Sequence, residues 1–159
     1  MTSLATNRVL RLNEPAISHL PAQLMRNPGI NCGFGVIQKT VTALNAETRF
    51  LASPASLDFM AVAGSLEDHA TNTSASVNKA AQIVDNIRYV LAIELLTAAQ
   101  GVSLRDNITL GKGTRAAYEM IRSAVPCFEE DDVMATAIQA VYQMLASGRL
   151  LAAVKQATA

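Results

Sequence analysis

The sequence predicts an all-α protein, a bundle of long helices. Three observations carry this: apolar residues recur at three- and four-residue steps, the segment from residue 73 to Gly101 contains no proline or internal glycine, and nothing alternates with period two. At 159 residues, 50% of them hydrophobic, the chain has material for one compact core and reads as a single helical domain over 1–159.

The elements follow in order. In residues 1–33, Pro15, Pro21 and Pro28 forbid a long helix, leaving a short helix and an irregular crossing. Over 34–52, Phe34, Ile37, Val41, Leu44 and Leu51 fall on one helical face, and Pro54 ends that helix. Residues 53–72 show no clear period and read as a loop. Asn72 or Ser74 then caps a helix over 73–101 that Gly101 stops. At 1.5 Å per residue it spans about 40 Å, roughly the whole diameter of an isolated domain of this length. Its first half keeps a polar stripe, Asn78, Gln82, Asp85 and Asn86; from Tyr89 to Ala99 only Glu94 and Thr97 are polar. A helix apolar all round is covered on all sides, more cover than one short chain supplies. Glu94 there must find a partner or stay protonated, since an unpaired buried carboxylate costs several kcal/mol, and a structural partner is the expectation. In 102–159, a Gly111–Gly113 loop precedes a helix over Thr114–Ala124 closed by Pro126, and a last helix starts near Glu129–Asp132, where acids suit the positive helix end, and runs to about Ser147.

Composition removes several functional classes. With 13 basic and 13 acidic residues there is no electrostatic footprint for nucleic acid or an anionic membrane. No window reaches the roughly 18 uncharged apolar residues of a membrane span. Cys32 and Cys127 are far apart with no CxxC spacing, which fits a reducing cytoplasm and neither a disulfide scaffold nor a zinc site. His19 and His69 are too few for a metal site, and none is expected. Gly111-Lys112-Gly113-Thr114 lacks the upstream glycine and strand of a phosphate loop, and Gly33-Phe34-Gly35 lacks the third glycine of a dinucleotide fingerprint. The stretch with chemistry to spare is Glu67-Asp68-His69, two acids beside an imidazole. By itself it fits either a helix cap or proton transfer.

Four segments change the weighting. Asn27-Pro28-Gly29-Ile30-Asn31-Cys32-Gly33-Phe34, Pro54-Ala55-Ser56-Leu57-Asp58, Leu66-Glu67-Asp68-His69 and Asn86-Ile87-Arg88-Tyr89-Val90-Leu91-Ala92-Ile93-Glu94 resemble P-G-L-N-S-G-F, H-P-A-S-V-D, Q-E-D-H and N-x-R-x-V-L-A-I-E of the aromatic amino acid ammonia-lyases and aminomutases, in that order and with nearly that spacing. The resemblance runs over almost the whole chain, begins inside a helix of the parent fold, and corresponds to the last third of a full-length enzyme. It implies the C-terminal part of the ammonia-lyase fold, completed by other chains.

Members of this family eliminate or migrate the amino group of an aromatic amino acid with a methylidene-imidazolone electrophile, formed from an internal Ala-Ser-Gly in the N-terminal part. Ala146-Ser147-Gly148 is present here, but it lies where the family's final helix stops rather than in a Gly-rich loop. The resemblance therefore implies no cofactor in this chain, with the electrophile on a larger partner chain carrying the N-terminal two-thirds, in a hetero-oligomer with a tetrameric core. It implies Glu67 as the catalytic, substrate-facing glutamate, and Asn31, Gly35 and Ala63 as further substrate-pocket residues, with Asp68 and His69 supporting Glu67 from behind. Gly35 stands where histidine-specific enzymes carry Met and phenylalanine-specific ones Lys; Ala63 stands where phenylalanine lyases carry a glutamate; Cys32 replaces the family serine. These departures leave the substrate open. The expectation is a small subunit or fragment of a split ammonia-lyase or aminomutase; the alternative is a non-catalytic scaffolding subunit that kept the fold.

Overall fold

Thirty-one residues, Thr73–Ser103, form the helix around which the molecule is organised. The computed structural model describes every residue except Asp68 and Ala70. In chain order the α-helices are α1 (Thr2–Leu12), α2 (Pro15–Ser18), α3 (Ile37–Leu51), α4 (Thr73–Ser103), α5 (Lys112–Ala124), α6 (Met134–Ala146) and α7 (Arg149–Thr158). Short 3-10 turns lie at Ala22–Leu24, Gly33–Gly35, Ala55–Leu57 and Ala63–Ser65, and among the described residues there are isolated β-bridges but no strand. The all-α expectation holds. No described helix is long and apolar enough to cross a membrane.

Helix α4 packs against α1, α3 and α6, while α5 pairs with α7. The core gathers Val90, Ile93 and Leu96 of α4 with Val9 of α1, Val41 of α3 and Val141 of α6, all fully buried. Each such side chain contributes roughly 1.5–3 kcal/mol relative to exposure. The N-terminal half of α4 stands clear of this core: Val77 and Val84 are 61% and 47% exposed. The apolar half is not covered on every side by its own chain, because Leu91, Leu95 and Ala98 line an open apolar groove with Ala117, Leu150 and Val154.

Several boundaries differ from the sequence reading for identifiable reasons. Helix α3 starts at Ile37 rather than Phe34 because Gly33, at φ +44°, turns the chain and sends Phe34 into the core. Gly101 does not stop α4, which continues to Ser103; a Cβ there would lie 3.1 Å from Leu20 Cδ1, so this glycine admits a neighbour. Gly113 likewise sits inside α5 against Thr158 and Val154 of α7. Helix α6 begins at Met134 rather than within Glu129–Asp132, because Asp131 turns its carboxylate to another segment and Asp132 Oδ1 accepts from the Val133 N–H at 2.6 Å. Gly148, at φ +73°, ends α6 and opens α7. Asn72 occupies the N-cap position of α4 but makes no side-chain capping bond; its amide donates instead to the carbonyls of Ala55, at 3.0 Å, and Asp58.

Candidate active site

Two segments carry the residues singled out above, and different forces hold them. The first is the turn over 28–35. Pro28 and Asn31 form an isolated bridge across Gly29, whose φ of +99° only glycine adopts readily. Phe34 is fully buried and meets Phe128 edge-on with ring centroids 5.7 Å apart. A carboxylate holds the polar side of the turn: the backbone N–H groups of Cys32 and Gly33 donate to Asp131 at 2.9 and 2.7 Å. Asn31 Oδ1 in return accepts from the Asp131 N–H at 3.2 Å. The Cys32 bond first, then the Gly33 bond, holds the Asp131 carboxyl below its ordinary value despite some desolvation. Gly35 is half-buried beside Gln23; a Cβ at Gly35 would lie 3.3 Å from Gln23 Cγ.

Behind this turn, Gln100 of α4 is fully buried. Its Nε2 donates to the carbonyls of Leu24 and Phe128 at 3.1 and 2.8 Å, and its Oε1 accepts from the Phe128 N–H at 3.1 Å. One side chain thus satisfies three backbone groups and fixes Phe128 under Phe34. Cys127 lies against the same Oε1 and is half-buried, whereas Cys32 is exposed; both thiols are free.

The second segment is the loop between α3 and α4. Val62 and Glu67 exchange backbone hydrogen bonds of 2.8 and 3.3 Å across a tight turn in which Ala63, Gly64 and Ser65 take φ of +54°, +66° and +69°. Glu67 and Ala63 are exposed at this turn. His69 is exposed and its ring stands edge-on to Phe59, centroids 4.8 Å apart. Asp68 lies outside the described residues. On the same loop, Leu57, Met60 and Leu66 are 76%, 82% and 88% exposed. The structure thus brings Asn31 and Gly35 together on one turn and Ala63 and Glu67 on another. Among the described residues, no hydrogen bond of the second segment reaches the first.

Glu94 has the partner its setting demands. Arg8 of α1 grips it with two guanidinium nitrogens, Nε and Nη2, the latter at 3.0 Å, and the bond with its charge pushes the Arg8 guanidinium above its ordinary value. Ala146-Ser147-Gly148 does not fit the methylidene-imidazolone group. It is the last turn of α6, where the Ser147 N–H and Oγ both bond to the Gln143 carbonyl, at 3.0 and 2.6 Å, and its backbone is committed to the helix end.

Sequence reasoning missed Asp131 and Gln100. Asp131 stands in an acidic run before a helix, which reads as a helix-end feature, and its bonds reach across 98 and 99 residues. Gln100 gives one signal only, an amide next to the all-apolar stretch of a helix.

Comparison with known proteins bears on this geometry. The family model described as aromatic amino acid lyase matches residues 1–123. A histidine ammonia-lyase of Myxococcus xanthus is 43% identical over 159 residues, 100% of this chain and 31% of that protein. Among solved structures, histidine ammonia-lyase from Trypanosoma cruzi superposes with a TM-score of 0.94 at 35% identity, covering 98% of this chain and 31% of that one. The ergothionase from Treponema denticola, in complex with desmethyl-ergothioneine sulfonic acid, gives 0.88 at 39% identity, covering 94% and 30%. The chain therefore spans about a third of the length of the relatives it matches.

Proposed function

The chain belongs to the aromatic amino acid lyase family, and on that premise we propose that it supplies one wall of a shared active site in an ammonia-lyase or aminomutase acting on an aromatic amino acid. The remainder of the site, with the electrophile, comes from a larger ammonia-lyase-like partner chain in a hetero-oligomer built on a tetrameric core, in the cytoplasm. The electrophile, when present, activates the amino acid for loss or transfer of its amino group.

The observation that carries this reading is the setting of Glu67. Glu67 stands at a turn next to Leu66, which is 88% exposed, on a loop that also exposes Leu57 and Met60 (76% and 82%), so one loop carries a carboxylate together with uncovered apolar surface. That is the composition of a pocket wall for an apolar ring with one polar handle. In this reading Glu67 faces the substrate side chain and accepts a hydrogen bond or a proton from it, His69 and Asp68 support it, Asn31 orders the opposite turn, and Gly35 and Ala63 leave room for the ring. The small residues at Gly35 and Ala63 favour the alternative of a scaffolding subunit, and one variant separates the two. In the complete assembly that contains this chain, Glu67→Gln is expected to lower kcat about a hundredfold or more; unchanged turnover favours scaffolding.

A further inference from the structure

The turn over 28–35 is secured from its polar side by a single solvent-facing carboxylate that belongs to neither the turn nor α4. We propose that Asp131 is a positioning residue of the substrate pocket, setting Asn31 and Gly35 through the backbone of Cys32 and Gly33; the inference rests on the reading of those two residues as pocket wall.

The geometry distinguishes this from general fold stabilisation. Asp131 Oδ2 and Oδ1 each take one of two successive N–H groups, at 2.9 and 2.7 Å, and its own N–H donates to Asn31 Oδ1 at 3.2 Å. This reciprocal arrangement fixes the backbone on the C-terminal side of Asn31 and also the rotamer of the Asn31 side chain. The core does not need it. Phe34 is fully buried and Phe128 is 8% exposed, and Gln100 holds the latter from the inside. Asp131 itself is exposed and adds little buried surface. Loss of its carboxylate frees two amides whose alternative partner is water, while Phe34 keeps the turn attached. The expected result is a turn still in place but loosely set, the condition under which a displacement of about 1 Å costs up to a hundredfold in rate or affinity.

The test uses the complete assembly that contains this chain, with L-histidine, L-phenylalanine and L-tyrosine as probes. Asp131→Ala is expected to raise KM about tenfold for whichever probe is turned over, with kcat changed less than about threefold. Asp131→Asn keeps one acceptor oxygen and should fall between wild type and Asp131→Ala. A residue that merely supported folding would reduce the amount of active enzyme, lowering kcat at constant KM; that result, or no change at all, overturns the proposal. If Asp131→Ala does not assemble, Asp131→Asn decides by the same criterion. Glu67→Gln run in parallel separates the two readings. A raised KM in Asp131→Ala with full activity in Glu67→Gln leaves the positioning role standing and removes Glu67. The reverse pattern removes only Asp131. A wild-type assembly that turns over none of the three probes overturns both.

Discussion

The turn over 28–35 and the loop between α3 and α4 both carry residues proposed for the substrate pocket, yet the chain holds them in opposite ways. The turn is fastened to distant parts of its own sequence: Phe34 to Phe128, Cys32 and Gly33 to Asp131, and Leu24 just upstream to Gln100. Among the described residues, the loop is fastened to itself and its immediate flanks, through the Val62–Glu67 bridge and the amide of Asn72. Bonds that span about a hundred residues tie a segment to global stability, whereas local bonds leave it free to open by itself. The described part of the loop is therefore expected to open at lower cost than the turn.

Substitutions that strike the two segments alike measure this difference. The largest effect is expected from Gln100→Ala, which strips the carbonyls of Leu24 and Phe128 and the Phe128 N–H of their partner and leaves a cavity, at a cost of about 4 kcal/mol in urea unfolding. Gly33→Ala and Gly64→Ala form a matched pair, since both glycines have positive φ, +44° and +66°. At Gly33 a Cβ would meet Met25 Cγ at 2.1 Å and the Gln23 carbonyl oxygen at 2.8 Å, whereas at Gly64 nothing lies within 4 Å. Gly33→Ala should cost about 3 kcal/mol, overpacking added to backbone strain. Gly64→Ala carries the strain alone, about 1 kcal/mol, confined to a segment that opens locally. Equal shifts in the unfolding midpoint for the two alanines would show that the loop is as firmly tied to the core as the turn, and the contrast would fail.

What the sequence disclosed follows the same division. The face that runs from Ile37 through Val41, and the apolar run of α4, are legible because helical periodicity is a local property. The need of Glu94 for a partner is legible too, from one acid among apolar neighbours; that the partner is Arg8, 86 residues earlier, is not. Gly101 and Gly113 misled in the same manner. A glycine that ends a helix and one that lets another element approach look identical until the approaching Leu20 or Thr158 is seen. The acids before α6 look like helix-end residues, and nothing local tells which of them, Asp131, serves a turn at the other end of the chain. Fold and family were recoverable from the four resembling segments, whereas the fastening of the candidate site was written in pairs of residues remote from each other.

Cys32 turns this fastening into something that can be watched. Its thiol is exposed and its N–H is one of the two held by Asp131, while Cys127, the other thiol, is half-buried against Gln100. A maleimide dye would choose Cys32 by access alone and ride on the backbone it is attached to. The protein thus comes supplied with an attachment point for a fluorescent reporter of local motion, and no engineered cysteine is needed to follow it.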